Sequence, residues 1–245
     1  MKVGLFVTCL VDMMRPRIGF AALKLLEQAG CTVVVPQQQT CCGQPGFNSG
    51  DRESGRAMAR RFLKEFEGFE YVVAPSGSCT GMIRCHYRKL FPEDSALQAR
   101  LDALSSRTYE LTQFLTDVLQ VKLPDSGFSG TCTYHDSCSG LRELGVKQQP
   151  RSLIAQIPGA SLREMDKPEV CCGFGGTFSV KLGDIATRMA DNKCQDAIAS
   201  GADTIVGGDL GCLLNIEGRL RRLGDPRTRV LHVAEVLAGP EPEDG

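Results

Sequence analysis

The tripeptide Cys-Cys-Gly occurs twice in this chain, at 41–43 and again at 171–173. The same landmarks surround each copy in the same order: an apolar run, a single cysteine, the tripeptide, a second apolar run and another single cysteine. These single cysteines are Cys9 and Cys79 in the first copy, and Cys138 and Cys212 in the second. Shared landmarks in a fixed order are the mark of an internal repeat. The chain is therefore predicted to be a tandem duplication of one structural unit.

Strand-like and helix-like segments alternate within each half. Residues 3–7 and 32–35 are apolar runs of strand length, and 18–29 between them place their apolar side chains on one helical face. In the second half, 183–199 has a helical pattern and precedes the strand-like run 204–206. This alternation predicts an α/β fold. We expect a tandem pseudo-twofold repeat in which each half is a small parallel sheet flanked by helices.

Turn-forming residues mark the boundary between the two halves. Leucine, proline, aspartate, serine and glycine follow one another at 123–127, a composition typical of a linker. We therefore expect the first repeat to span 1–122 and the second to span 128–238. The final residues, 239–245, are acidic and contain proline, and are predicted to form a flexible tail.

Charge and hydropathy exclude several classes of protein. The 245 residues carry 28 basic and 29 acidic side chains, so the formal net charge is −1. This balance gives no electrostatic footprint for nucleic acid or an anionic membrane. No apolar run approaches the roughly 18 residues of a membrane-spanning helix, and the N-terminal run has the pattern of a strand. We expect a cytoplasmic globular protein.

Twelve cysteines are the most unusual part of the composition. Cysteine makes up about 5% of the chain, below the roughly 8–10% of a disulfide scaffold. Metal binding or redox chemistry is therefore the better interpretation. Ligand sites of open parallel sheets lie beyond the carboxyl ends of the strands, where the repeated cysteines are expected to converge. The candidate metal ligands are Cys9, Cys41, Cys42 and Cys79 in the first half, and Cys138, Cys171, Cys172 and Cys212 in the second.

Four converging thiolates suit either iron–sulfur clusters or zinc. Zinc sites usually take cysteines separated by two to four residues, whereas adjacent thiolates can reach different irons of one cluster. Glycine amides and helix N-termini beside the thiolates would compensate their negative charge. The pattern therefore favours an iron–sulfur cluster in each repeat, with zinc as the alternative.

The duplicated pattern resembles the CCG cysteine-rich domain of heterodisulfide reductases and their relatives, over nearly the whole chain. The stretches YHDSC at 134–138 and CCGFGGTF at 171–178 are similar to the lactate utilization protein A family in particular. That resemblance implies a subunit that relays electrons while L-lactate is oxidised to pyruvate. It also implies two partners, a ferredoxin-type iron–sulfur subunit and a third small subunit.

The chain departs from the family pattern at one landmark. Where that pattern has Cys-x-x-Cys, Ser76 and Asp209 take the first position of the two copies. Each copy therefore has four candidate thiolates, enough for an ordinary [4Fe–4S] cluster. We expect Ser76 and Asp209 to be helix N-caps, with oxygen ligation by Asp209, and less readily by Ser76, as the alternative. His135 is expected either to act beside the second cluster, as a proton relay or a hydrogen-bond donor, or to satisfy the end of its strand.

Two other functions are compatible with the same residues. A heterodisulfide-reductase-like enzyme would carry out thiol–disulfide redox chemistry at one of the clusters. A zinc-stabilised structural subunit would have no redox role, and its metal sites would be colourless. The sequence assigns no catalytic residue under any of these hypotheses.

Overall fold

A computed structural model describes residues 1–239 of the chain. Its strands form two four-stranded sheets in which every neighbouring pair is parallel. The first sheet contains Lys2–Leu5 (β1), Thr32–Val34 (β2), Tyr71–Ala74 (β3) and Thr108–Glu110 (β4), and the second contains Gly130–His135 (β5), Ala160–Leu162 (β6), Thr204–Gly207 (β7) and Arg229–His232 (β8). The strand orders, β2-β1-β3-β4 and β6-β5-β7-β8, are the same. The predicted α/β fold and tandem repeat are confirmed.

Helices flank both sheets. Those of the first half are Cys9–Met14 (α1), Arg17–Gln28 (α2), Gln44–Asn48 (α3), Arg52–Phe66 (α4), Gly77–Gly81 (α5), Ser95–Ser105 (α6) and Leu111–Gln113 (α7). Those of the second half are Cys138–Leu144 (α8), Gln148–Ile154 (α9), Thr177–Lys181 (α10), Gly183–Ala199 (α11), Leu210–Arg222 (α12) and Val233–Ala238 (α13). A π-helical turn, Met82–His86, extends α5 and leads into the 3₁₀ turn Tyr87–Leu90, while a second π-helical turn, Phe114–Val118, extends α7.

Local sequence explains where the principal helices lie. The apolar face predicted at 18–29 is buried in α2, and Gly30 follows the helix at φ 81°, a conformation that favours glycine. The α4 helix begins where the Asp51 side chain accepts a hydrogen bond from the Ser54 amide at 3.0 Å. The α11 helix spans the residues that its pattern predicted.

Helices of the two halves pack against one another across their common boundary. The α13 helix of the second half packs on α2 of the first, and α9 of the second packs on α7 of the first. Likewise α5 packs on α8, and α1 packs on α12. One apolar core runs through both halves, from Leu25 and Phe114 to Leu153 and Leu237. The two halves therefore meet through their helices and share one apolar core.

Two further expectations concern the ends of the chain and the membrane. Of the predicted tail, 239–245, only Gly239 lies within the described residues. Among residues 1–239, the helices are all too short or too polar to cross a membrane.

A close approach of two glycines joins the halves. Gly77, the first residue of α5, lies against Gly140 of α8, and a Cβ built on Gly77 would be 2.9 Å from the Gly140 Cα. The Gly77 amide also donates to the Gly208 carbonyl of the second half, at 3.3 Å. No side chain fits between α5 and α8 at this point without moving one backbone.

We expect Gly77→Ala to lower the free energy of unfolding by about 1–3 kcal/mol, because the new methyl group overpacks a backbone contact between the halves. Gly68→Ala is the matched control, since Gly68 is exposed and a Cβ there meets no atom within 4 Å. Urea unfolding of both variants, followed by circular dichroism, measures the difference. Equal stability of the two variants would contradict the assigned packing.

Candidate metal centres

The first set of cysteines gathers at the carboxyl edge of the first sheet. Cys9 begins α1 shortly after β1, Cys79 lies in α5 after β3, and Cys41 and Cys42 lie in the loop between β2 and α3. Thiol hydrogen bonds join Cys9 to Cys41, Cys41 to Cys42, and Cys42 to Cys79. The structure therefore brings together all four cysteines selected from the first repeat.

The second set repeats this arrangement. Cys138 begins α8 after β5, Cys212 lies in α12 after β7, and Cys171 and Cys172 lie in the loop between β6 and α10. Hydrogen bonds again join neighbouring thiols, Cys138 to Cys171, Cys171 to Cys172, and Cys172 to Cys212. The two sets have the same connectivity because the parent strands have the same order.

One thiol of each set is stabilised as a thiolate. Hydrogen bonds from Cys42 and Cys9 lower the pKa of Cys41 to about 2, and the Gly43 amide, 3.3 Å from the Cys41 Sγ, adds to the effect. In the second set the pKa of Cys171 is lowered to about 2 in the same way, with the Gly173 amide at 3.4 Å. Gly43 and Gly173 have φ of 83° and 86°, which glycine adopts without the steric cost other residues incur.

The neighbouring thiols keep their protons. Donation to Cys41, together with burial, raises the pKa of Cys42 and of Cys9, and the same causes raise the pKa of Cys172 and Cys138 beside Cys171. A metal ion that binds these thiols displaces their protons, because the thiolate is the form that ligates a metal. Four thiols that already contact one another in a partly buried set are therefore a suitable donor set for a metal centre.

A cavity of about 240 Å³ opens beside the first set. All four of its cysteines line the cavity, and the second half contributes the opposite wall, through Phe174, Thr177, Val180, Asp209, Leu210 and Gly211 among others. None of the described residues that line this cavity has a cationic side chain. The cavity is therefore an apolar space between the halves, with sulfur on one wall.

Ser76 and Asp209 have different roles, although they occupy equivalent positions. The Ser76 hydroxyl accepts a hydrogen bond from the Cys79 amide at 3.3 Å, so Ser76 caps α5 as expected. Asp209 occupies the expected N-cap position of α12, where the Gly211 amide lowers its pKa, but it makes no capping hydrogen bond of normal geometry to that helix. Its carboxylate instead accepts from the Ser78 amide at 2.7 Å and from the Ser76 hydroxyl at 3.3 Å.

The Asp209 carboxylate thus caps the N-terminus of a helix in the other half of the molecule. It is buried, and burial raises its pKa, while the hydrogen bonds from Ser78 and Ser76 oppose that rise. Its charge also raises the pKa of Cys138 and of Cys212. Asp209 therefore lies between the two cysteine sets.

His135 and Lys193 are buried beside the second set. His135 ends β5, and its nearest ring nitrogen lies within 4.8 Å of the Cys172 and Cys212 sulfurs. Burial and the nearby charge of Lys193 lower the pKa of His135 to about 3, so its ring is neutral at physiological pH. His135 was a candidate from the sequence, whereas Lys193 was not predicted. A lysine on the buried face of α11 between Ala190 and Ala197 was the available signal.

The remaining four cysteines lie outside both sets. Cys31, Cys132 and Cys194 are buried in the apolar core, and Cys85 is half-buried near the surface of the first half.

Comparison with known families supports the internal repeat. The cysteine-rich domain CCG matches this chain twice, at residues 3–84 and 132–217. Each match contains one complete set of four cysteines, together with the strands that position them.

Several bacterial proteins are similar over nearly their whole length. Lactate utilization protein A of Bacillus cytotoxicus is 46% identical over 97% of this chain and 98% of its own. The proteins of the same name from Halalkalibacterium halodurans and Geobacillus kaustophilus are also 46% identical over 97% of this chain, and over 96% and 98% of their own lengths.

One solved structure shares the fold. The crystal structure of a hypothetical protein from Helicobacter pylori superposes with a TM-score of 0.68 at 10% sequence identity, over 99% of this chain. This chain spans about half the length of that protein, which it matches over 50%. From the two domain matches and the near-full-length relatives, we conclude that this chain belongs to the lactate utilization protein A family of CCG cysteine-rich proteins.

Proposed function

We propose that this protein is an iron–sulfur electron-transfer subunit of a cytoplasmic L-lactate oxidation system. The observation that carries the proposal is the gathering of two equivalent four-thiol sets, each with one stabilised thiolate, in a chain of the lactate utilization protein A family. An iron–sulfur cluster supplies reversible one-electron storage, so two of them match the two electrons that leave lactate as it becomes pyruvate.

The donor chemistry of both sets fits a [4Fe–4S] cluster, which takes four cysteine thiolates. The residues that would hold the clusters are Cys9, Cys41, Cys42 and Cys79 in the first half, and Cys138, Cys171, Cys172 and Cys212 in the second. The Gly43 and Gly173 amides already donate to sulfur. Such donation stabilises negative charge on the sulfur and so favours the reduced state.

The cavity beside the first set supports a relay rather than a lactate-binding role. A lactate carboxylate in this cavity would face the Cys41 thiolate and the Asp209 carboxyl group, with no cationic side chain among the described lining residues. The same argument disfavours an anionic disulfide as substrate. Lactate is therefore oxidised on another subunit in this proposal, and a ferredoxin-type iron–sulfur subunit and a third small subunit are the proposed partners.

The proposal predicts about eight irons and eight sulfides in each anaerobically purified chain. Cys42→Ser and Cys172→Ser should each remove about half of both, because each variant lacks one buried ligand of one set. Inductively coupled plasma mass spectrometry and a sulfide assay measure these contents, and visible absorption shows whether the iron lies in clusters.

Cys85→Ser is the control for loss of a thiol, since Cys85 is half-buried and belongs to neither set. It should keep the full iron and sulfide content. Stoichiometric zinc in a colourless protein that also fails reconstitution would favour the structural subunit instead.

The relay also predicts that L-lactate alone does not reduce the reconstituted chain, because the cavity beside the first set offers no cation to bind its carboxylate. Bleaching of the visible absorption should require a lactate-oxidising partner protein. Stopped-flow spectroscopy with and without that partner tests this. Rapid bleaching by lactate alone, or steady reduction of a disulfide by the isolated chain, would contradict the relay.

A further inference from the structure

The two metal centres have equivalent backbones but different surroundings. Leu5 of β1 pairs with Val73 of β3, and Tyr134 of β5 pairs with Val206 of β7 in the same register. The residue that follows Leu5 is therefore equivalent to the residue that follows Tyr134. In the first half it is Phe6, and in the second it is His135.

A second difference between the halves lies on the helix that packs against each Cys-Cys-Gly loop. A Cβ built on Gly43 would meet Met58 of α4, and one built on Gly173 would meet Met189 of α11, so these methionines are equivalent. Four residues further along each helix stand Phe62 and Lys193. An aromatic pair in the first half therefore corresponds to a histidine and a lysine in the second.

The first half uses its pair for packing. Phe6 and Phe62 meet edge to face with ring centroids 5.1 Å apart, and both belong to the apolar cluster that surrounds Cys42. Tyr87 joins the same cluster, and its hydroxyl donates to the Cys42 carbonyl at 2.9 Å. Aromatic packing therefore fills this place in the first half.

The second half leaves a polar group without a partner at the same place. His135 is 1% exposed, and the Pro168 carbonyl lies near its ring, but within the described part of the chain neither ring nitrogen makes a hydrogen bond of normal geometry. Buried polar atoms are almost always satisfied, so an imidazole without a well-formed hydrogen bond needs an explanation. The nearest potential ligand atoms are the sulfurs of Cys172 and Cys212, which together with one ring nitrogen lie within 4.8 Å of one another.

We propose that His135 is a metal ligand beside Cys172 and Cys212. In the second half it takes the place of one of the other two candidate thiolates, Cys138 or Cys171, so that this centre has a mixed imidazole–thiolate set, whereas the first half uses thiolates alone. This inference rests on the proposed function, because it requires a metal centre in the second half. Imidazole is a common ligand of iron and zinc and satisfies its nitrogen by binding the metal.

An imidazole ligand in place of a thiolate has an electrostatic consequence for the second centre. Replacing a thiolate by a neutral imidazole removes one negative charge from the ligand set, and histidine ligation raises the reduction potential of iron–sulfur centres. Lys193 adds to this effect. Its ammonium group lies against the carbonyls of Lys167 and Pro168, near enough for the charges of Cys171 and Cys172 to act on it. The second centre should therefore have the higher potential and take electrons from the first.

Pulsed electron paramagnetic resonance of the reduced, reconstituted full chain tests the assignment. Chains grown with ¹⁵N-histidine should show a strong ¹⁵N coupling typical of a directly bound imidazole. Cys42→Ser should keep that coupling, because it disturbs only the first half, and Cys172→Ser should lose it. His135→Phe should lose it too, and it installs the residue that the first half has at the equivalent position. His86→Phe is the control and should keep it, since His86 pairs with Glu143 near the surface.

The wild-type spectrum decides the question even if the His135→Phe chain fails to fold. Only weak couplings in a chain with iron in both halves would overturn ligation by His135 and leave the proposed function intact. If Cys172→Ser changed neither iron nor sulfide content, the second half would hold no cluster and the proposed function itself would fail. A redox titration gives an independent readout, in which His135→Phe should lower the potential of the second centre and leave that of the first unchanged.

Discussion

The packing of two sheets with their carboxyl edges toward one boundary determines the rest of this structure. The segments that follow β3, β5 and β7 meet there, held by the Gly77–Gly140 contact and by the hydrogen bonds of Asp209 to Ser78 and Ser76. Loops at the carboxyl ends of parallel strands are where such folds place their ligands. Because both halves place these ends at the boundary, both cysteine sets lie near it, and the cavity beside the first set has walls from both halves.

Much of the fold follows from the sequence, because a duplicated motif fixes two equivalent units at once. The apolar runs at 3–7 and 204–206 and the helical periodicity at 18–29 and 183–199 identify β1, β7, α2 and α11. The edge strands are less evident. The β2 and β6 strands have only three residues each and are partly exposed. The apolar run at 32–35 predicts β2, whereas Ala160–Leu162 has little apolar pattern to mark β6. Their pairing is set by neighbours distant in sequence, which a local pattern does not contain.

The cysteine sets were predictable for a similar reason, since cysteines that follow the strands of a parallel sheet lie at the same carboxyl edge. The role of Asp209 was not, because its hydrogen-bond partners lie 131 and 133 residues away, in the other half. A local pattern shows an acid at the start of a helix and so predicts a cap for that helix. The buried Lys193 was missed because a lysine on a helix is usually solvated, and only tertiary packing places this one beside a sulfur site.

Duplication followed by divergence explains why one backbone serves two different centres. The fourth strands end in Glu110 and His232, which occupy equivalent pairing positions, and both side chains are buried. Burial raises the pKa of Glu110 to about 7 and lowers that of His232 to about 4, so an acid in one half corresponds to a base in the other. Phe6 and His135 are likewise residues of different chemistry at equivalent positions. Residues 209–211 line the first cavity and lead directly into Cys212 of the second set, so in the proposed relay the first turn of α12 links the surroundings of the two centres.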